Sequence, residues 1–426
     1  MIIGIDASRA NKDRKTGTEW YAYSLIRWFA QIDKKNEYIL YTDKPLTGGL
    51  LDLTDKQYDY NDERFEQITL DGKGFQKIKS PHDNFKAKVL KWPFKYFWTQ
   101  GRLSFEMLFN KIDILFVPSH ALPIIHPPKS IVTIHDVGFD RFENVYENTP
   151  IAYDKPLLHK VINFFTKILT RGKYNATKLD YLRWSTEYAI KHASKIITVS
   201  NFSKKELSEI YNTHKQNIQV IHNGFNNQLY TCGCDQEKIK QIKEKYGIDS
   251  DYLLYVGRLE RKKNTPAMIE AFAIMKDKCQ DIKHKLVIIG EASYGYDEVN
   301  YMMNEFGIEN DVIILGWINE VDLPCVYEGA TAFVFPSVYE GFGIPLLQAM
   351  ACRVPIIASD SSSIPEVVED SALLFNPHFV VSMASAMEKI IKDEEVRNDL
   401  IKKGERRVAS FSWQKTAQET LNAILQ

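Results

Sequence analysis

Short, continuous apolar runs rich in β-branched residues alternate with longer stretches of helical periodicity, and this alternation limits the fold more than any other feature. IIGID (2–6), EYILYT (37–42), ILFVP (114–118), SIVTIHD (130–136), KIITVS (195–200) and IQVIHNG (218–224) form one series. YLLYVGR (252–258), KLVIIGE (285–291), VIILGW (312–317), AFVFPS (332–337), VPIIAS (354–359) and ALLFNP (372–377) form a second. A strand that is apolar on both faces has to be covered on both, and intervening helices supply that cover, so each series implies a doubly wound parallel sheet. The expectation is an α/β chain of two such domains, broken in the polar, irregular stretch between Asn226 and Ser250. Ligands of these sheets bind at the carboxyl ends of the strands, so the cleft between the domains is where chemistry is expected.

Composition excludes several classes. The 426 residues are too many for one ordinary core, and 44% hydrophobic with 26% charged residues is the balance of a globular protein. A formal charge of -1 gives no basic field for nucleic acid. Five cysteines without a CxxC spacing fit a reducing compartment better than a disulfide framework, and Cys232 and Cys234 read as loop thiols. The start MIIGIDASR is a strand followed by charge, unlike a signal peptide, and no run of about 18 apolar residues spans a bilayer. A cytoplasmic location is expected.

Two loops carry the chemistry. VGRLERKKN (256–264) puts Arg258 and Lys263 after a strand and before a helix, where two cations can neutralise a diphosphate. In YEGFGIPLLQAMAC (339–352), GFGIP offers backbone amides at a helix start, around Phe342, Gly343 and Ile344, suited to the same anion. Glu340 then makes sense as an acceptor for hydroxyls on a group attached to the phosphate. A phosphate with a polyol beside it is a sugar nucleotide.

Over nearly its whole length the chain resembles the retaining glycosyltransferases of family 4. The resemblance rests on VTIHD (132–136), ASKIITVSNFSKKEL (193–207), VIHNG (220–224), LLYVGRLERKKN (253–264) and, most specifically, residues 333–377, from FVFPSVYEGFGIPLLQAMAC to EDSALLFNP. It implies the GT-B fold of two facing Rossmann-like domains, a nucleotide diphosphate sugar as donor, and no cofactor or metal. By resemblance, Arg258 and Lys263 hold the donor diphosphate with the amides around Phe342 to Ile344, Glu340 and His135 face the transferred sugar, and backbone at Trp317 and Ile318 meets the base. The family's second Glu is here Gln348, which keeps an acceptor oxygen for the ribose but weakens the bond. The loop KTGTEWYAY (15–23), on the acceptor side by resemblance, has one glycine, Gly17. FSWQKTAQETLNAILQ resembles the family's last helix, giving expected domains of 1–226 and 227–405, with 406–426 crossing back to the first.

GDP-mannose is the first expectation for the donor, followed by UDP-sugars, and the acceptor is expected to be a glycan or a lipid-linked one. A sugar-nucleotide epimerase and a non-catalytic sugar-nucleotide-binding protein are the alternatives. Asp249-Ser250-Asp251 matches a metal-binding DxD pattern, but it precedes a strand and reads as a solvated turn. His135 stands out only for its place after a strand beside Asp136; His120, His126, His222 and His378 lack even that. Residues 72–105, with eight Lys or Arg against one acidic residue, and residues 155–184, with seven, interleave cations with aromatic side chains. Both suit an anionic membrane surface on the cytoplasmic side, or else helices whose aromatics pack inward.

Overall fold

The computed structural model describes residues 1–54, 70–93, 96–213, 217–293 and 296–426; Phe94 of the first basic and aromatic segment lies outside them. The chain divides into two compact units, one of residues 1–141, 147–223 and 413–426, the other of residues 142–146 and 224–412.

The first unit holds β1 (Ile2–Asp6), β2 (Glu37–Thr42), β3 (Phe75–Lys77), β4 (Phe85–Val89), β5 (Ile114–Val117), β6 (Ser130–Ile134), β7 (Lys195–Thr198) and β8 (Ile218–Val220). Their order in the sheet is β3-β4-β2-β1-β5-β6-β7-β8, parallel except for β3. The second unit holds β9 (Tyr252–Val256), β10 (Lys285–Ile289), β11 (Val312–Gly316), β12 (Ala332–Phe335), β13 (Ile356–Ser359) and β14 (Ala372–Phe375), in the order β11-β10-β9-β12-β13-β14 and all parallel. Central strands such as β5, β6 and β12 are buried at every residue, which is why they read as unbroken apolar runs.

Three expectations are corrected. Residues 72–105 contain β3 and β4 rather than only surface or helix. Along FKAKV, Phe85, Ala87 and Val89 are buried while Lys86 is exposed, the alternation of a strand near a sheet edge. Lys88 is largely buried against Glu106 at 2.5 Å, so part of this basic segment is neutralised inside the unit. Second, the boundary expected after residue 405 falls inside the helix Glu394–Val408. Arg407 ties that helix to its unit by donating to the Glu366 and Val367 carbonyls at 2.8 and 2.9 Å, and the chain leaves only at Ser412. The helix Trp413–Leu425 then packs on the helix Gly17–Ile32 in the first unit, its end capped by Lys129 and Lys195 donating to the Leu425 and Ala423 carbonyls. Third, Cys234 is bonded to Cys325, 91 residues away, while Cys232 stays a free, exposed thiol. A pairing at that separation leaves no spacing signature.

Candidate active site

In the second sheet the chain runs from β9 to β10 and β11 on one side, and β12 to β14 lie on the other. Loops leaving β9 and β12 therefore diverge at a topological switch point, where such sheets hold ligands. The loop after β9 needs two glycines. Gly257 donates to the Ile289 carbonyl at 2.9 Å, and a Cβ on Gly290, itself at φ +149°, would stand 1.9 Å from the Gly257 oxygen. Beyond this contact Arg258 is exposed, its carbonyl accepting from the buried Tyr255 hydroxyl at 2.9 Å. The RKK run is less free than a solvated loop. Arg261 pairs with Glu298, and the Lys262 ammonium lies 3.7 Å from Glu260. Asn264, left-handed at φ 57°, then turns the chain into the helix Thr265–Lys278.

Lys263 is joined to Glu340, Nζ to Oε1 at 2.5 Å, with both side chains mostly shielded from solvent. This ion pair brings the loop after β9 to the loop after β12. The second loop is braced by a serine run: Glu340 donates its N–H to the Ser362 Oγ at 2.9 Å, Ser363 donates to the Glu340 carbonyl at 2.9 Å, and Ser361 donates to the Val338 carbonyl. The Val338 N–H in turn donates to the Lys262 carbonyl at 3.0 Å. Gly343 follows at φ +100°, where a Cβ would meet the Leu346 Cδ1 at 2.9 Å, and it caps the helix Ile344–Ala351 with Pro345 in the first turn. A helix start leaves N–H groups without intrahelical partners, and its dipole favours an anion there. Cation, carboxylate and helix start thus stand together on adjacent strand ends.

In the first unit His135 follows β6 and is buried. Its Nε2 lies 3.1 Å from the Pro118 carbonyl, and because a carbonyl only accepts, Nε2 carries the proton and Nδ1 the lone pair. Burial holds its pKa below the ordinary histidine value against the opposing Pro118 contact, so the ring is neutral near pH 7. Tyr21 meets it edge-on at 4.8 Å, and His120 is brought within 6.1 Å although nothing in the sequence set it apart. At the end of β1, Asp6 is buried, accepting from the Ser8 hydroxyl and N–H at 2.6 and 3.0 Å, and burial raises its pKa. Gly17 begins the helix Gly17–Ile32, whose N-cap Thr16 forms a capping box with Glu19. Burial pushes the Glu19 pKa up, but Thr16 and Arg9 outweigh it and leave the carboxyl below its ordinary value.

A model of glycosyl transferases group 1 matches residues 235–407, and one of Glycosyltransferase Family 4 matches residues 78–229, together about three quarters of the chain. The chain is a family 4 glycosyltransferase. It is 27% identical over 315 residues to O-antigen chain mannosyltransferase B of Escherichia coli, covering 71% of this chain and 78% of that one. Sucrose-phosphate synthase from Thermosynechococcus elongatus superposes with a TM-score of 0.70 at 18% identity, over 99% of this chain and 98% of the other. Anabaena HepE, solved with UDP and glucose, gives 0.67 at 16% identity, over 100% and 99%. These likenesses establish the GT-B fold.

The glycosyltransferase's other expected site residues belong to the second unit. Gln348 is on the helix that Gly343 caps, its Oε1 accepting from the Tyr327 hydroxyl at 3.3 Å. Trp317, partly exposed, and Ile318, buried, follow β11 at the sheet edge, two strands from β9. The serine brace, Tyr255 and Tyr327 were not singled out from sequence. The serines stood inside the specific 333–377 block, but their partners are mainly backbone atoms, which no residue pattern displays. Asp249 of the DxD triplet sits at the amino end of β9 and pairs with Lys285 at 2.9 Å. Among the described residues no three His, Cys, Asp or Glu gather as a metal-ligand group.

Proposed function

We propose that the enzyme transfers a hexosyl group, mannose first among the candidates, from a nucleotide diphosphate sugar to a hydroxyl of a glycan or lipid-linked acceptor, with retention of anomeric configuration and without a metal. The observation that carries this reading is the Lys263–Glu340 pair, which joins a phosphate-type cation and a hydroxyl-type acceptor at the strand-end switch point. The name of the E. coli relative, a mannosyltransferase of O-antigen chains, supports the sugar and a cell-surface polysaccharide as product. HepE, solved with UDP and glucose, supports a nucleotide sugar as donor and keeps UDP-sugars beside GDP-mannose.

Negative charge grows on the departing diphosphate as the glycosidic bond breaks. Arg258, the remaining N–H groups of Lys263, and the amides of Phe342, Gly343 and Ile344 stabilise it more than they stabilise the ground state. The leaving phosphate takes the acceptor proton on the face it leaves from, so no protein nucleophile is needed. Glu340, held in place by Lys263 and the serine brace, accepts from sugar hydroxyls. His135, assigned to the transferred sugar by the family resemblance, has a neutral ring whose Nδ1 lone pair can accept from a hydroxyl. Gln348 accepts from Tyr327 and turns its amide N–H groups to the ribose, while backbone at Trp317 and Ile318 meets the base and the Gly17 loop serves the acceptor.

The test is proton NMR of the product formed from an α-linked donor. An α-linked product supports retention. A β-linked product contradicts it, and a changed sugar still attached to the nucleotide identifies an epimerase.

A further inference from the structure

The helix Pro156–Leu169 is turned inside out. Leu157, Leu158, Val161, Phe164, Phe165 and Ile168 recur at helical spacing and form one stripe, and each is 39–77% exposed. The opposite side, toward the protein, is largely polar: His159, Asn163 and Thr166 are half-buried beside Ile162. Polar bonds fasten it there, with the Asn163 side chain accepting from the Ala176 N–H and the His159 Nδ1 meeting the Ile151 carbonyl, both at 2.9 Å. A helix built to pack on its own unit would reverse this arrangement, because each exposed phenylalanine forgoes burial.

Charge identifies the occupant. Residues 155–173 contain Lys155, Lys160, Lys167, Arg171 and Lys173 and no Asp or Glu. Lys173 is committed to Glu187 at 2.6 Å, but the other four are exposed. Lys160 and Lys167, seven residues apart, run along one flank of the apolar stripe, where long side chains lay their stems on apolar surface and keep their ammonium groups in water. A two-fold contact with a second copy would bring these like charges against each other. Beneath the helix, a cavity of about 260 Å³ is lined by Trp92, Tyr96, Phe97, Leu158 and Ile162, which brings the two basic and aromatic segments together and leaves Leu158 shared between cavity and stripe. No helix among the described residues is long and apolar enough to cross a membrane.

We propose that Pro156–Leu169 is a membrane-docking helix that lies in the interface of an anionic bilayer, its apolar stripe sunk among the acyl chains and its lysines on the headgroups. This inference does not rest on the transfer chemistry. The experiment is flotation of the purified full-length enzyme with phosphatidylglycerol–phosphatidylethanolamine vesicles and with phosphatidylcholine vesicles. Binding is expected to the anionic vesicles only, weakening as salt rises. The double substitution Phe164→Gln/Phe165→Gln is expected to lower it at least about tenfold, and Lys160→Gln/Lys167→Gln about fivefold for each charge removed. Melting temperature and nucleotide affinity should stay at wild-type values in both variants, which separates loss of docking from loss of the donor site. Equal binding to neutral vesicles, no binding to anionic ones, or undiminished binding by the phenylalanine variant would overturn the proposal. So would a wild-type dimer that the phenylalanine variant dissociates while neither protein floats.

Discussion

The helices Ile344–Ala351 and Pro156–Leu169 are both strongly apolar and both begin near a proline, yet they are set in opposite ways. The first buries Leu346, Leu347, Ala349 and Met350, and the loop before it is braced by serine, backbone and ion-pair contacts. The second turns half-buried polar groups toward the protein and exposes its apolar stripe. The contrast teaches that apolar periodicity locates a helix but does not say what will cover it. In the second unit the cover is the protein's own sheet and the helix Glu394–Val408, and the loop's polar bonds fix Glu340 beside Lys263. In the first unit the cover has to come from outside.

The largest expected difference between the two regions is in catalysis. Arg258→Ala should lower kcat/KM by about 10²–10³ while urea unfolding stays within about 0.5 kcal/mol of wild type, because the side chain is exposed. Phe164→Gln/Phe165→Gln should leave turnover on a water-soluble acceptor unchanged, and a loss comparable to that of Arg258→Ala would break the division between the regions.

Stability should distinguish them next. Lys263→Ala strands the Glu340 carboxylate in a shielded site and should cost about 3 kcal/mol, whereas the double substitution with Glu340→Ala should cost less than the sum of the two single ones. Strict additivity in that cycle would mean the pair is not coupled. Gly343→Ala, which forces a Cβ against Leu346 at a left-handed φ, should cost about 1–3 kcal/mol by the same unfolding measurement. An unchanged midpoint would show the helix start to be adaptable.

The smallest expected effect is on the pH dependence of stability through His135. Burial lowers its folded pKa, so on acidification the unfolded chain takes up this proton first. The stability it contributes is present above the unfolded pKa of about 6.5 and is lost as pH falls through the folded pKa. Urea midpoints of wild type and His135→Gln, compared above and below that pH, should show the smaller acid loss in the variant. Equal losses would rule out this buried ring as the source.

The fold was legible wherever a strand is buried on both faces, since continuous apolar runs mark such strands without any partner being known. Strands β3 and β4 were missed because near the sheet edge they mix lysines with core residues and shed that signal. The placement of Arg258, Lys263 and Glu340 after strand ends was legible because loops that carry charge beside glycine directly after an apolar run have a physical reading of their own. What could not be read was pairing. Nothing in the sequence couples Lys263 to Glu340, Cys234 to Cys325, or Ser361–Ser363 to a loop some twenty residues earlier, because those partners meet only after the sheet has formed. The inversion of Pro156–Leu169 was invisible for the same reason, since its amphipathic pattern is equally that of a helix facing inward.

The most direct test of the central claim is release of free nucleoside diphosphate from GDP-mannose and a panel of UDP-sugars, with and without lipid-linked acceptor, by the wild-type enzyme and Arg258→Ala. Release is expected from one donor, accelerated by an acceptor, and at least about a hundredfold slower in the variant. Donor binding without release under every condition, or release by Arg258→Ala at the wild-type rate, would contradict that claim.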